Sequence, residues 1–210
     1  MSPPLKYKTP QEERHKEMIS IVRDVLGEDY WEIIIEKLTI QENLLERYTE
    51  VACLIYMNDK SFSIKETGRG PIDALFNGLK NNFKESYLSF NGLNFCEFSI
   101  DGDVGNSLNS ASEVECTLAI SSTNNHNPLI YRYKDASINR AAICVVLSAI
   151  EYYINSERAM KKLRRWAADA QRRNRADLFQ QNVLKMSRLL EGASYTDTLV
   201  TFSKTHEFED

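Results

Sequence analysis

Residues with the types and spacing needed to bind an anion are concentrated in a Gly-Arg-Gly-Pro turn that is followed closely by an aspartate. Gly68 and Gly70 let the backbone approach another group closely, and Pro71 fits the first position of a helix, where a missing N–H costs nothing. Asp73 suits the first turn because the helix dipole favours negative charge there. Free N–H groups at such a helix start can hold a carboxylate. The alternative is a tight strand-to-helix connection that binds nothing.

The elements on either side of this turn can be predicted from hydrophobic periodicity. Ser61 to Thr67 alternates as a strand does, and it follows Tyr48 to Met57 and a short polar turn, which together predict a β-hairpin. After the turn, apolar residues recur with the spacing of one helix face. That stripe consists of Ile72, Leu75, Phe76, Leu79 and Phe83.

The run G-R-G-P-I-D-A-L-F-N-G-L-K, followed by L-N-F-C-E-F-S-I, resembles the C-terminal regulatory domain of alpha-isopropylmalate synthase and of the related citramalate synthases. The resemblance extends over about Tyr48 to Asn155 and is most specific at Gly68 to Lys80. It implies a duplicated domain that forms a homodimer. It further implies that the ligand is a pathway end product, leucine or isoleucine, bound where paired domains meet.

The order hairpin-then-helix occurs twice along the chain, at Tyr48 to Phe83 and at Glu113 to Asn155. We therefore predict an α+β fold made of a duplicated hairpin-plus-helix unit, in which β-sheets pack on two central helices and helical extensions lie at both ends. Leu93 to Ile100 reads as a further strand, with Leu93 and Phe95 on one face and Phe98 and Ile100 on the other. Asp101 to Ser112 has the composition of a loop.

The predicted organisation has four parts. Residues 1–47 form a helical segment like a linker, 48–155 the regulatory-like domain, 156–193 a basic helical extension and 194–210 a tail, which is either an edge strand or disordered. Within the first part we expect a flexible start over Met1 to Pro10, a helix from Thr9-Pro10 to Leu26, and a second helix over Asp29 to Leu38.

The first function hypothesis is a regulatory, dimer-forming domain that binds a small molecule. The turn would hold a ligand carboxylate, and Arg69 would either clamp that carboxylate or block the pocket. An apolar wall would accept the side chain of a branched-chain amino acid or a related small acid. The predicted ligand-binding residues are Gly68, Arg69, Gly70, Pro71, Ile72, Asp73, Leu93 and Phe95.

Catalysis by this chain alone is not expected. The catalytic part of the synthases that it resembles is a barrel of about 250 residues, for which a chain of 210 residues has no room. No nucleophile-elbow, P-loop or H-E-x-x-H pattern occurs either. A catalytic transferase subunit on another chain is therefore an expected partner.

We predict no metal site and no cofactor. The four cysteines are far apart and are predicted to be buried thiols, and the three histidines are scattered, with His15 and His206 in polar ends.

The second hypothesis is an interaction or nucleic-acid-binding protein that works through the basic extension. Its candidate partner-binding residues are Arg164, Arg165, Arg172 and Arg173. A solvated helix face is the better interpretation, because runs of charge usually only solvate and because Trp166 is the one aromatic residue among these cations. Nucleic acid is also disfavoured by the overall net charge of −4.

A polar start without a signal peptide, and the lack of a long apolar run, predict a cytoplasmic protein without a membrane span.

Overall fold

The computed structural model describes residues 10–102, 113–122 and 125–190, with residues 10, 11, 122 and 125–127 described by their backbone alone. The predicted flexible start before Pro10, most of the predicted loop and the tail lie outside these residues. The elements are α1 (Pro10–Leu26), β1 (Ile34–Asn43), β2 (Tyr48–Met57), β3 (Lys60–Gly68), α2 (Pro71–Phe83), β4 (Leu93–Gly102), β5 (Val114–Ser122), β6 (Asn125–Asp135), α3 (Ile138–Arg172) and α4 (Ala176–Leu190).

The strands form two three-stranded antiparallel sheets with the orders β1-β2-β3 and β4-β5-β6. Each sheet is followed by a helix that starts three residues after the last strand ends, α2 after β3 and α3 after β6. The first strand of each sheet also carries a β-bulge, between Ile35 and Lys37 in β1 and between Phe95 and Glu97 in β4. The α+β fold and the duplication are therefore confirmed, and each repeated unit has three strands rather than a hairpin.

The core lies where the two sheets meet the two central helices. α2 contacts β2 and β3, α3 contacts β5 and β6, and the two helices also contact each other. Leu75 and Leu79 of α2 and Val146 and Ile150 of α3 are at most 1% exposed. Burial of such side chains contributes about 1.5–3 kcal/mol each, so these helices join the two units into one core.

One glycine sets how closely α2 approaches its sheet. A Cβ atom on Gly78 would lie 2.7 Å from Cγ2 of Ile64 and 3.1 Å from Cβ of Glu66, both on β3. Because Gly78 has no side chain, the side chains of Ile64 and Glu66 pack directly on the backbone of α2. This contact holds the start of α2, and with it the Gly-Arg-Gly-Pro turn, against the end of β3.

The helical extensions pack on the outside of this core. α1 contacts α3 and β6, and α4 contacts α3 and α1. α3 continues without interruption from the second repeated unit into the basic extension, and it ends at Arg172. Asn174, with a φ of 51°, then provides the left-handed residue between the two helices. The predicted helix from Pro10 to Leu26 and the predicted helical C-terminal extension are both confirmed.

The predicted second helix over Asp29 to Leu38 is wrong. Gly27–Asp29 is a short 3₁₀ turn, and β1 begins at Ile34 and pairs with β2 over its whole length. The bulge explains the misreading, because it places Ile35 and Leu38, which are three residues apart, on the same side of the strand, where both pack against the core. A separation of three is also the spacing of a helix face.

Two side-chain environments also differ from the prediction. Cys53 and Cys116 are buried and Cys144 is half-buried, but Cys96 is exposed because it occupies the bulge of β4. His15, expected in a polar end, is only 5% exposed and packs edge-on against Tyr131 and Tyr152. Among the described residues, no helix is long and apolar enough to cross a membrane.

Candidate functional site

A cavity of about 300 Å³ lies between the two repeated units, where the helix starts face the first strands of the sheets. Its volume is at the lower end of the range of about 300–1,000 Å³ found for small-molecule pockets, so it suits a ligand of amino-acid size. The walls are mostly apolar. They are formed by Leu38, Ile40, Val51, Gly70, Pro71, Ile72, Asp73, Leu75, Phe98, Ile100, Ile138, Asn139, Ala142 and Ile143.

The two units contribute equivalent positions to this cavity. Leu38 and Ile40 lie three and five residues after Ile35, the last residue before the bulge in β1, and Phe98 and Ile100 have the same relation to Phe95 in β4. Pro71 and Ile72 begin α2 as Ile138 and Asn139 begin α3. The cavity therefore follows from the duplication, with one half of its wall supplied by each repeat. We refer to it below as the inter-unit cavity.

The start of α2 gives the inter-unit cavity its polar part. Gly70 is the N-cap and has no side chain to cap the helix, although its carbonyl oxygen accepts a hydrogen bond from the amide of Ala74. Asp73 stabilises the turn from inside the helix, because its Oδ2 accepts from the amide of Arg69 at 3.0 Å and its Oδ1 accepts from Asn77 at 3.0 Å. The amides of Ile72 and of Asp73 belong to the first turn, where amides have no partner within the helix.

The start of α3 is capped by its own side chains. The hydroxyl of Ser137 accepts a hydrogen bond from the amide of Arg140 at 3.3 Å. Asp135 accepts from the amide of Ser137 at 2.8 Å and from Nε of Arg140 at 3.0 Å. The two helix starts are thus equivalent in position but differ in chemistry. Only the start of α2 lacks a side-chain cap on its N-cap residue, which makes it the better of the two places for an anion.

The predicted site residues separate into three groups in the structure. Gly70, Pro71, Ile72 and Asp73 line the inter-unit cavity. Gly68 and Arg69 lie in the turn beside it. The side chain of Arg69 is exposed, and the backbone amide of Arg69 donates to the carboxylate of Asp73. The remaining two, Leu93 and Phe95, are not among the lining residues, so the structure does not bring the whole predicted set together.

Leu93 and Phe95 have roles in the core instead. Leu93 is completely buried, and its carbonyl oxygen accepts a hydrogen bond from Nζ of Lys80 at 2.6 Å. Burial, with a smaller contribution from the nearby Lys84, lowers the pKa of Lys80. Phe95 packs edge-on against Phe76, with 5.7 Å between ring centroids. These contacts hold β4 against α2.

The predicted faces of β4 must also be corrected. The bulge adds one residue between Phe95 and Glu97, so the alternation of faces restarts after it. Phe98 packs against the same core as Phe95, although the sequence placed the two on opposite faces. Phe98 and Ile100 then form the wall of the inter-unit cavity that had been assigned to Leu93 and Phe95.

The wall residues of the second unit were missed as well. Ile138, Asn139, Ala142 and Ile143 all come from the first turns of α3. The duplication itself was the available signal, because a site at the start of the first helix has a counterpart at the start of the second.

The four candidate partner-binding arginines do not form one free patch. Arg172 and Arg173 both pair with Asp169, at 3.6 Å and 3.2 Å, and Arg164 is exposed only in part. Arg165 is exposed. Among the described residues, at least six of the ten cations in residues 156–190 form ion pairs with Asp or Glu, which weakens the case for nucleic acid: Lys161, Lys162, Arg172, Arg173, Arg175 and Arg188.

Comparison with protein families agrees with this geometry. The sequence model described as the LeuA allosteric (dimerisation) domain matches residues 13–154. The chain belongs to the LeuA allosteric (dimerisation) domain family. The match begins within α1 and ends within α3, so it includes both sheets, both helix starts and the whole wall of the inter-unit cavity.

The LeuA allosteric domain therefore starts earlier than the resemblance at Tyr48 indicated, and it contains β1. The second half of α3 and all of α4 lie outside the match. No curated protein matches the chain. Within residues 10–102, 113–122 and 125–190, no group of three or more His, Cys, Asp or Glu is arranged to hold a metal ion. What the family assigns to this chain is regulation and dimerisation.

Proposed function

We propose that this LeuA allosteric domain works as a homodimeric regulatory module that binds a branched-chain amino acid, or the corresponding 2-oxo acid, in the inter-unit cavity. The observation that carries the proposal is the position of the uncapped start of α2 in the wall of an otherwise apolar cavity of about 300 Å³. A ligand of this class has one apolar and one anionic end, and the cavity offers a complementary environment to each.

The carboxylate would bind at the start of α2. The amides of Ile72 and Asp73 and the positive end of the helix dipole favour an anion at this position. Asp73 lines the same cavity, so its carboxylate is placed to attract the ammonium group of an amino acid. A 2-oxo acid has no such group, and an amino acid is therefore the preferred ligand within this class.

The branched side chain would bind between the two first strands. Leu38 and Ile40 from β1 and Phe98 and Ile100 from β4 line the cavity from both units. Each CH₂ group removed from water there contributes about 0.8 kcal/mol, which favours leucine or isoleucine over alanine. Because both units contact the same ligand, binding would resist any relative movement of the two sheets.

That coupling between the units is the proposed basis of regulation. A ligand shifts a conformational equilibrium only by the difference between its affinities for the two states. A ligand held by both units favours the arrangement in which they are close together. We propose that a catalytic transferase subunit on another chain responds to this arrangement, and that the present chain carries no catalytic centre of its own.

Isothermal titration of the purified protein with leucine, isoleucine, valine and their 2-oxo acids tests the proposal. We expect saturable binding of at least one branched compound and no binding of alanine. The same titration on Ile100→Glu, which places a carboxylate in the apolar wall, should show no binding. Ile100 is 48% exposed, so this variant is expected to fold. Absence of heat with all six compounds would contradict the proposed ligand class.

A further inference from the structure

An ordered apolar tip projects from the first sheet at the turn between β1 and β2. Leu44 and Leu45 are 83% and 93% exposed, although leucine is normally buried. The turn around them is held by Asn43 and Glu46. The side-chain oxygen of Asn43 accepts from the amide of Glu46 at 3.0 Å, and its amide nitrogen donates to the carboxylate of Glu46 at 3.1 Å. The two leucines are thus presented on a fixed turn with Glu46 beside them.

A second cavity, of about 320 Å³, lies between α3 and α4, outside the part of the chain that the LeuA family model matches. We call it the α3–α4 cavity. Trp166 and Leu178 provide apolar surface and are 41% and 39% exposed. Arg173, Arg175, Lys185 and Asp169 are the charged residues of its lining, and Arg173 pairs with Asp169 and Arg175 with Asp177. The α3–α4 cavity therefore combines an apolar floor with a rim on which Lys185 is the cation that has no ion pair among the described residues.

The tip and the α3–α4 cavity complement each other in apolar surface and in charge. The two exposed leucines match the surface of Trp166 and Leu178, and Glu46 beside the leucines matches Lys185 at the rim. The same complementarity holds over the whole chain, since residues 156–190 have a net charge of +7 and the remaining residues one of −11. Opposite potentials on two surfaces favour their association and fix its orientation.

The tip does not occupy the α3–α4 cavity of its own chain. Leu44 and Leu45 are exposed in the single chain, so a chain does not fill its own cavity with its own tip. A second copy carries the same tip, and two copies related by a twofold axis would make the contact twice. Exposed apolar groups that lie beside matching charge are typical of such association surfaces.

We propose that the β1–β2 tip of one copy of this chain docks into the α3–α4 cavity of a second copy. Leu44 and Leu45 contact Trp166 and Leu178, and Glu46 contacts Lys185. This contact extends dimerisation beyond the residues that the family model matches, and it does not depend on a ligand in the inter-unit cavity.

Disulfide trapping between two variants tests this contact in the full-length chain. One protein carries Leu45→Cys and the other Gln181→Cys, a lining residue of the α3–α4 cavity, both with the exposed Cys96 changed to Ser. After mixing and oxidation with diamide, we expect a disulfide between positions 45 and 181, identified by peptide mass spectrometry. Both positions are exposed, so neither change touches the core. The matched control is Lys60→Cys, at the exposed end of the β2–β3 hairpin, which should yield at least fivefold less product.

Exchanging the charges of Glu46 and Lys185 tests whether these two residues contact each other between copies. Adding Glu46→Lys to the first protein should lower the yield at least fivefold, because two cations then meet. Adding Lys185→Glu to the second protein as well should restore it. Equal yields for positions 45 and 60, or no response to the exchange, would overturn the proposal. Binding of a DNA duplex at the α3–α4 cavity, with no disulfide between copies, would also overturn it in favour of a nucleic-acid partner.

Discussion

Gly68, the last residue of β3, lies directly against Ala74 in the first turn of α2, so that a Cβ atom on Gly68 would be 2.6 Å from the amide nitrogen of Ala74. The same atom would be 2.7 Å from Oδ2 of Asp73. The strand end and the helix start are therefore in contact through a position that has no room for a side chain. This contact places the N–H groups of α2 at the inter-unit cavity.

We predict that Gly68→Ala destabilises the protein and displaces the start of α2. Since the obstructing N and Cα atoms of Ala74 belong to the backbone, they cannot rotate away, and forcing a methyl group into a well-packed site costs about 1–3 kcal/mol. Urea unfolding followed by circular dichroism measures this loss. Leucine binding should weaken in the same variant. An unfolding free energy equal to that of the wild type would show that the close approach is not present in solution.

Gly70→Val is predicted to weaken ligand binding without destabilising the protein. A Cβ atom on Gly70 meets nothing within 4 Å, and its φ of −163° is extended backbone that any residue adopts. The fold should therefore be preserved, with a change in unfolding free energy below about 1 kcal/mol. Because Gly70 lines the inter-unit cavity, the added side chain should reduce ligand affinity at least tenfold in the calorimetric titration.

The control for this variant is Ser148→Val, on the exposed face of α3 away from the lining residues. It introduces the same side chain and should leave affinity unchanged. Wild-type affinity in Gly70→Val would exclude the start of α2 from the binding site. Loss of affinity in both variants would mean that the assay reports stability rather than contact with the ligand.

The sequence was sufficient to predict the second sheet, the central helices and the duplication, because their patterns are long and regular. The prediction from sequence was wrong at the two bulges. Glu36 and Cys96 each add one residue to a strand, and neither is a residue type that marks a bulge. In β1 the added residue produced a helix-like spacing, and in β4 it exchanged the two faces. The wall of the inter-unit cavity was predicted only in part for this reason, since it includes Leu38 and Phe98, which both follow a bulge.

The burial of His15 was not predicted, for a different reason. Its neighbours in sequence are charged, and this led to its placement in a polar end. Yet it precedes Met18 by three residues and Val22 by seven, which places it on the apolar stripe of α1. Both of those residues are buried, as is His15. Helical periodicity was thus a better guide to burial than the polarity of adjacent residues.

Asn155 is predicted to be the polar side chain on which the packing of residues 30–33 depends. It is fully buried, and its side chain is hydrogen-bonded on both sides. Oδ1 accepts from the amide of Trp31 at 3.0 Å and from Arg158 at 2.9 Å. Nδ2 donates to the carbonyl oxygens of Trp31 at 2.7 Å and of Glu151 at 3.0 Å. The guanidinium of Arg158 also stacks 3.5 Å from the ring centroid of Trp31.

Asn155→Ala should therefore lower the unfolding free energy by about 3 kcal/mol, because it leaves the amide and the carbonyl of Trp31 without their partner. Urea unfolding measures the change, and Trp31 fluorescence should shift to longer wavelength as the ring becomes more accessible. Asn81→Ala is the matched control, since it removes only exposed hydrogen bonds, to Glu66 and from Lys84, and should cost less than about 0.5 kcal/mol. Equal effects of the two substitutions would refute the importance of the buried network.

The surroundings of His15 should make the stability of the protein depend on pH. Nδ1 of His15 donates to the carbonyl oxygen of Ile130 at 3.0 Å, and its Nε2 has no hydrogen-bonding partner within the part of the chain that the structure describes. Tyr131 of β6 and Tyr152 of α3 face the ring, and the Glu12–Arg132 ion pair links α1 to β6 close by. Burial lowers the pKa of His15 below its ordinary value of 6.5, with the hydrogen bond to Ile130 opposing this shift.

Because the unfolded state then binds a proton more readily than the native state, the unfolding free energy should fall as the pH is lowered below about 6.5. The slope from this one group is at most about 1.4 kcal/mol per pH unit, and it ends below the pKa of the folded state. His15→Phe keeps an aromatic ring but cannot be protonated. Urea unfolding of both proteins between pH 5 and 8 gives the difference between their unfolding free energies at each pH. The contributions of the other titrating groups, including Glu151 with its raised pKa, are common to both proteins and cancel in this difference. A difference that does not vary with pH would show that His15 has the same pKa in the native and the unfolded protein.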